Sequence, residues 1–250
     1  VVGSNPTFAT IINPTHKRLQ KIKIMVDTDK NFNSKLEKFS EYLKNCSGKL
    51  WNKATNHKFT NELKDDKLED HIFKIYIIQD YIFIETLVTL IGKAVYLSPN
   101  MNSKIKWANF LYAITSDENN YFQRSFDALD ISKEERTNTK LFLTISDFSK
   151  LMHEVANTGT YEEILAVILA AEWVYYTWAS NAKKPYPKRF YLSEWITLHN
   201  NSSFKDTLAW IKRELDIKSQ KLTISEQHKV ANLFIKIVRL EVSFFDACYK

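Results

Sequence analysis

Three carboxylates lie inside apolar runs that have little use for them. Asp80 interrupts IYIIQDYIFI, Glu172 interrupts ILAAEWVYY and Glu241 interrupts IVRLEVSFF. Each has an aromatic residue one helical turn on: Phe83 after Asp80, Tyr175 and Tyr176 after Glu172, Phe244 and Phe245 after Glu241. Spacings of three and four put carboxylate and ring on one helix face. If the three faces meet, they enclose a pocket with aromatic walls and acidic groups. Such walls stack on a flat heterocycle, and a carboxylate accepts paired N–H bonds from an aminopyrimidine edge. An unpartnered buried carboxylate is costly or is neutralised by a raised pKa, so each acid needs solvent, a partner or a ligand. Ion pairs with Lys74, Lys236 or Arg239 are the structural alternative for the acids, and core packing is the alternative for the rings.

Other chemistries find no support in the spacing. A carboxylate-bridged di-iron bundle needs Glu three residues before His, and none of His16, His57, His71, His153, His199 and His228 has it. No GxGxxG, Walker-type or GxSxG sequence occurs, so no nucleotide or nucleophile-elbow site is expected. Cys46 and Cys248 lie far apart without metal-ligand spacing, which points to reduced thiols and a cytoplasmic setting. No metal or cofactor is expected. The net charge of +6 is spread over amphipathic faces; the local clusters HKRLQKIK and KKPYPKR match no nucleic-acid module.

These side chains must be positioned by helices. Hydrophobic residues make up 44% of the chain and aromatic residues 14%, with four Gly and five Pro, too little punctuation for an all-β fold. From Phe32 to about Asn56, Leu36, Phe39, Leu43, Cys46 and Leu50 recur at the period of one helix face. Residues 69–98 predict a long central helix stopped by Pro99. Two helices follow over NSKIKWANFLYAITS and DENNYFQRSFDAL, and SKEE at Ser132 reads as a capping box. Further boxes at Thr160 with Glu163 and at Thr223 with Glu226 open two more helices, the first running to the Pro185 and Pro187 break. The expectation is one all-α helical bundle over residues 32–250, most buried in the segments that begin at 69, 160 and 224. Residues 1–31 are expected to be a disordered or extended tail, with Met25 internal to it. No run of 18 uncharged apolar residues and no signal-peptide pattern is present, so no membrane association is expected.

The stretch KLEDHIFKIYIIQDYIFIETL resembles the F-x-x-Y-x-x-Q-D-x-x-[YF] region of the TenA/thiaminase II family, through Phe73, Tyr76, Gln79, Asp80 and Phe83. Trp173, Tyr175 and Tyr176 resemble its W-x-Y-Y segment, and Glu241, Phe244 and Phe245 its closing E-x-x-F-[WF] motif. The resemblance covers residues 32–249 in order. It implies a haem-oxygenase-like helical bundle, a homo-oligomer (tetramer or dimer), and a thiamin-derived aminopyrimidine ligand held without haem or metal. It further implies that Asp80 binds the pyrimidine, that Glu241 handles protons, and that Phe83, Phe148, Tyr175, His199 and Phe244 form the ligand's surroundings.

The chain departs from the family pattern at three positions. Where the family carries its Cys nucleophile, two residues before the Trp, this sequence has Ala171, which cannot form a covalent intermediate. Phe148 and His199 stand where pocket tyrosines are common in the family. Some members lack the Cys and use a nearby glutamate, a role for which Glu172 is placed. A branch of yeast paralogues resembles the chain around TSDENNYF and FFDACYK. Three readings stay open: a Cys-less hydrolase of a thiamin-related aminopyrimidine, with Glu241 and Glu172 catalytic; a non-catalytic binder of such a compound; and a structural paralogue with no ligand.

Overall fold

A computed structural model describes residues 31–250. Eleven α-helices succeed one another among these residues, with no strand. They are α1 (Phe39–Thr55), α2 (Lys58–Lys64), α3 (Asp70–Leu97), α4 (Met101–Ala113), α5 (Asn119–Ala128), α6 (Lys133–Asn138), α7 (Leu143–Thr158), α8 (Tyr161–Ser180), α9 (Phe190–Asn200), α10 (Ser202–Lys218) and α11 (Ile224–Ala247). The expected tail lies outside the described residues except for Asn31.

The three segments read as most buried form the centre. α11 packs along α8 and α1, α8 also touches α9 and α10, and α3 packs on α7, α4 and α8. α8 buries 16 of its 20 residues, so it is enclosed on every side rather than along one stripe. Each buried Leu, Ile, Val or Phe in this core contributes about 1.5–3 kcal/mol of transfer free energy. α3 is long and apolar enough to cross a membrane, but 56% of its apolar window is buried inside the bundle, which marks it as a core helix.

Local chemistry sets the helix ends. Ser132 accepts from Glu135 N while Glu135 returns a bond to Ser132 N, and Thr223 and Glu226 do the same, so both capping boxes are complete. The box expected at Thr160 is half made. Its hydroxyl accepts from Glu163 N at 3.3 Å, but the Glu163 carboxylate pairs with Lys229 at 2.6 Å and ties α8 to α11 instead. Gly159 separates α7 from α8 where a Cβ would stand 2.5 Å from the Val155 carbonyl, so no larger residue fits the junction as built.

The first helix differs from the expectation. It starts at Phe39 rather than Phe32, Leu36 is exposed ahead of it, and Gly48 at φ +51° kinks it. Left-handed backbone at a glycine breaks a period that the apolar spacing alone cannot register. The pair expected over 101–129 also differs: α4 runs into α5 through a π turn, Ile114–Glu118, in which Asn119 N–H donates to Ile114 O.

Candidate functional site

Four elements converge on a small cavity. α3 brings Asp80, Phe83 and Ile84, and the π turn brings Glu118. α8 brings Ala171, Glu172 and Tyr175, while α9 brings Trp195 and His199. The volume is about 20 Å³, room for one water molecule. Of these residues only Ile84 and Glu118 are half-exposed, so they form the rim; the others are buried.

The cavity is an acid cluster without a countercharge. Asp80 is 2% exposed, its Oδ2 has no hydrogen-bond partner, and no ion pair reaches it among the described residues. Lys74, Lys236 and Arg239, the alternative partners, do not engage it. Burial raises its pKa well above the usual carboxylate range, the Glu118 charge adds to this, and the Tyr76 hydroxyl offsets part of it. Glu172 is raised by burial and then by Glu118 and Asp80. Glu118 has its carboxyl head enclosed by protein although the residue keeps some surface, and burial moves it to about 8. Among the described residues, no group of three or more His, Cys, Asp or Glu side chains is arranged to hold a metal ion.

His199 behaves in the opposite sense. Burial lowers its pKa to about 4, so the ring is neutral at ordinary pH. Its Nδ1 donates to the Trp195 carbonyl at 2.9 Å, because a carbonyl can only accept, and Nε2 is left as an acceptor. The ring packs edge-on against Trp195 and tilted on Tyr175. The aromatic wall is braced by hydrogen bonds: Trp195 Nε1 donates to the Tyr76 hydroxyl at 3.2 Å, and Tyr76 and Tyr175 share a bond of 2.8 Å. Buried Gln79, next to Asp80, donates to Lys140 O and accepts from Phe142 N, fixing the loop that leads into α7.

The structure brings Asp80, Phe83, Glu172, Tyr175 and His199 to the cavity wall, with Ala171 between them. Glu241 lies behind the wall, 1% exposed, with an unpartnered Oε1; burial first, then the charges of Asp80 and Glu172, raise its pKa. Phe148 and Phe244 also stand one layer back. Phe148 meets Phe83 edge-on at 5.0 Å and Phe244 stacks on Tyr76 at 5.1 Å. Cys248 is buried and bonded to Phe244 O, with its thiol pushed up by burial first and by Asp80 second. Cys46 sits on α1.

Three lining residues were not anticipated: Ile84, Trp195 and Glu118. Trp195 lies on the short α9, where its spacing with Tyr191, Leu192 and Ile196 marks a buried face but does not tell a cavity wall from core. Glu118 lies in DENNYF, which reads as a solvated helix start; only the π turn aims it inward. Tyr81 donates to Asn119 at 3.0 Å, Gln123 bridges the same two groups, and Arg136 donates to Gln123, so α3, α5 and α6 hold that turn in place.

Residues 47–250 match the model of the TENA/THI-4/PQQC family. The chain belongs to that family. An aminopyrimidine aminohydrolase of Halalkalibacterium halodurans is 26% identical over 205 residues, covering 80% of this chain and 90% of the relative. One of Helicobacter pylori is 23% identical and covers 84% of this chain and 98% of the relative. Among solved structures, a TenA homologue from Pyrococcus furiosus superposes with a TM-score of 0.75 at 21% identity, covering 84% of this chain and 100% of that one. The TenA homologue of P. horikoshii OT3 gives 0.75 at 19%, with 85% and 99% covered. This TENA/THI-4/PQQC family member thus has the all-α, haem-oxygenase-like fold, and every residue lining its cavity falls within the matched span.

Proposed function

We propose that the protein binds a thiamin-related aminopyrimidine in the acid-lined cavity and hydrolyses it without a cysteine nucleophile. The observation that carries this reading is Asp80, a carboxylate buried with a free Oδ2 and no cation beside it. Asp80 gives its proton to the ring nitrogen of an aminopyrimidine, and that N–H and the neighbouring amine N–H then donate to the carboxylate as a pair. The relatives named as aminopyrimidine aminohydrolases support the same ligand class.

In this reading Phe83 and Tyr175 flank the ring, Phe148 and Phe244 stiffen those walls from behind, and neutral His199 offers Nε2 to a ligand donor. Water adds to the carbon that bears the amine, and the amine leaves as ammonia. Glu172 orients the water, takes its proton and passes one to the leaving nitrogen, and Glu241, one layer behind the wall, is a further proton store of the coupled cluster. Coupled acids at close quarters share protons, so the cluster holds a donor and an acceptor together. Ala171, at the position where the family carries its nucleophile, makes the route non-covalent. A pyrimidine is larger than 20 Å³, so its entry moves the half-exposed side chains of Ile84 and Glu118 at the rim. Self-association into a dimer or tetramer belongs to the same reading, and light scattering is its check.

Binding without turnover is the second reading, favoured by the alanine at 171. Calorimetric titration with an aminopyrimidine, followed by assay of released ammonia, separates the possibilities. Binding with ammonia supports hydrolysis, binding alone supports the second reading, and no binding overturns both.

A further inference from the structure

We propose that the groove between α2 and the loop joining α8 to α9 is a second ligand site, one that holds a chain of two or three phosphates. It is separate from the acid-lined cavity and does not depend on the aminopyrimidine reading.

The groove is walled by residues of 61–67 and of 181–188. Its volume of about 850 Å³ is that of a small-molecule pocket. Five lysines line it: Lys64 and Lys67 on one wall, Lys183, Lys184 and Lys188 on the other. The last three come from the basic cluster KKPYPKR. Two aspartates share the lining, and both are engaged. Asp66 accepts from Arg189 Nε at 2.8 Å and from the Lys188 N–H at 3.1 Å, and Asp65 pairs with Lys67 at 3.2 Å. Among the described residues no ion pair or hydrogen bond reaches the ammonium of Lys64, Lys183, Lys184 or Lys188. Lys184 Nζ lies 5.8 Å from the Tyr186 ring centroid, a loose contact that leaves its N–H donors unused.

Four like charges in one recess need an anion. Lys64 is half-buried besides, and burial holds its ammonium below the ordinary lysine range, with Asp65 offsetting part of that. Helix ends explain only a fraction of the charge. α2 ends at Lys64 and α8 at Ser180, and two helix C-termini carry about one negative charge between them. An excess of about three positive charges remains. A single phosphate ester brings at most about two negative charges, and each further phosphate of a chain adds about one, so a di- or triphosphate matches the excess.

The groove is also firmly built. Asp66 has a left-handed φ of +58°, and Arg189 clasps it: Nη2 donates to Asp66 O at 2.9 Å, and Nη1 to Leu68 O at 2.7 Å and to Asp70 Oδ1 at 2.6 Å. That clasp fixes one wall to the other and holds a backbone conformation that a non-glycine residue rarely adopts. On the loop, Asn200 Nδ2 donates to the Tyr186 hydroxyl at 3.0 Å. The hydroxyl keeps its own proton for an anion. The lysines sit on the two walls of a bounded recess rather than along an extended stripe, which suits a small anion better than a nucleic acid. The lining contains no Leu, Ile, Val or Phe to enter a bilayer.

Calorimetric titration of the folded chain in magnesium-free buffer tests the site with inorganic phosphate, diphosphate and triphosphate, adenosine diphosphate, and adenosine. The diphosphates and triphosphate are expected to bind at one site about tenfold or more tighter than phosphate, with adenosine silent, and to weaken as salt rises from about 0.05 M to about 0.5 M. Tighter binding of adenosine diphosphate than of inorganic diphosphate supports the site with an organic ester as its ligand. Equal affinity supports it with the phosphate chain alone. Lys183→Gln, Lys184→Gln and Lys188→Gln combined should weaken these probes by about tenfold. Lys49→Gln, Lys106→Gln and Lys150→Gln combined remove the same charge from exposed positions outside the groove and should leave affinity within about twofold. Equal weakening by the two triple variants overturns the proposal, because net charge alone would then account for binding. Absence of saturable binding overturns it too. So does tighter binding, per phosphate, of a short single-stranded RNA or of anionic phospholipid vesicles, which would assign the groove to a polymer or a membrane surface. If the groove variant does not fold, acetylation of wild-type lysines read by mass spectrometry decides: diphosphate protecting Lys183, Lys184 and Lys188 but not Lys49 supports the site, and equal labelling with and without diphosphate overturns it.

Discussion

The proton on Glu118 has a thermodynamic consequence that needs no ligand to observe. Burial raises this carboxyl from an ordinary 4.5 to about 8. Between those values the folded chain keeps a proton that the unfolded chain has lost. The contribution to stability is therefore fully present below about pH 4.5 and is lost as pH rises toward 8. One proton corresponds to about 1.4 kcal/mol per pH unit, so the loss from this residue reaches about 3 kcal/mol at neutral pH and about 5 kcal/mol above pH 8. Glu118→Gln keeps the size and removes the titration. In a chain of this size about 1 kcal/mol moves the melting temperature by about 2–4 °C, so the variant should melt about 6–12 °C above wild type at neutral pH. The two should coincide near pH 4. Asp80 and Glu172 reinforce the effect, since Glu118 is among the causes of their own raised values. Thermal melts of both proteins across that pH range are the assay. Melting curves that stay parallel from acid to alkaline pH would refute the argument, because they would show that the carboxyl ionises alike in the folded and unfolded chains.

Asp80→Asn should weaken aminopyrimidine binding by about 1.5–3 kcal/mol, read by calorimetry, while the melting temperature holds or rises because the cost of burying an unpaired carboxyl is gone. A lower melting temperature together with unchanged affinity would assign Asp80 to the core instead. Ala171→Cys places a thiol beside Glu172 on the cavity wall; wild type should cleave thiamin at trace rates at most, and the variant should cleave it faster in a product assay. A wild-type rate as high as that of the variant would show that covalent catalysis at this position is dispensable.

What the sequence reveals of the site follows from periodicity. Asp80 and Phe83 share a face of α3, and Glu172 and Tyr175 share a face of α8, because three-residue spacing is fixed by helix geometry. Both helices are apolar on nearly all sides, so an acid on either must face something unusual. Depth is not encoded that way: Glu241, Phe148 and Phe244 lie one layer behind the cavity, since spacing gives a direction and not a distance. Glu118 escapes notice for another reason. Whether DENNYF starts a new helix or continues an old one through a π turn depends on tertiary packing against Tyr81, a contact 38 residues away in sequence. At the scale of the fold, the long helices α3, α8 and α11 are legible from apolar runs and caps. The kink at Gly48 and the short α2 are not, because a local φ of +51° leaves the apolar spacing on either side untouched.

The π turn at Ile114–Glu118 also bears on how such a cavity changes over descent. A π turn amounts to one extra residue within an otherwise regular helix, and each residue of an α-helix turns the chain by about 100°. Deleting one codon there would restore the regular helix and swing Glu118 away from Asp80 and Glu172 in a single event, with α3 and α8 untouched. The number of acids around the cavity is thus governed by an insertion or deletion rather than by point substitution. Among relatives of this chain, helix length between Met101 and Ala128 is therefore a more direct guide to the fourth carboxylate than the identity of any one residue.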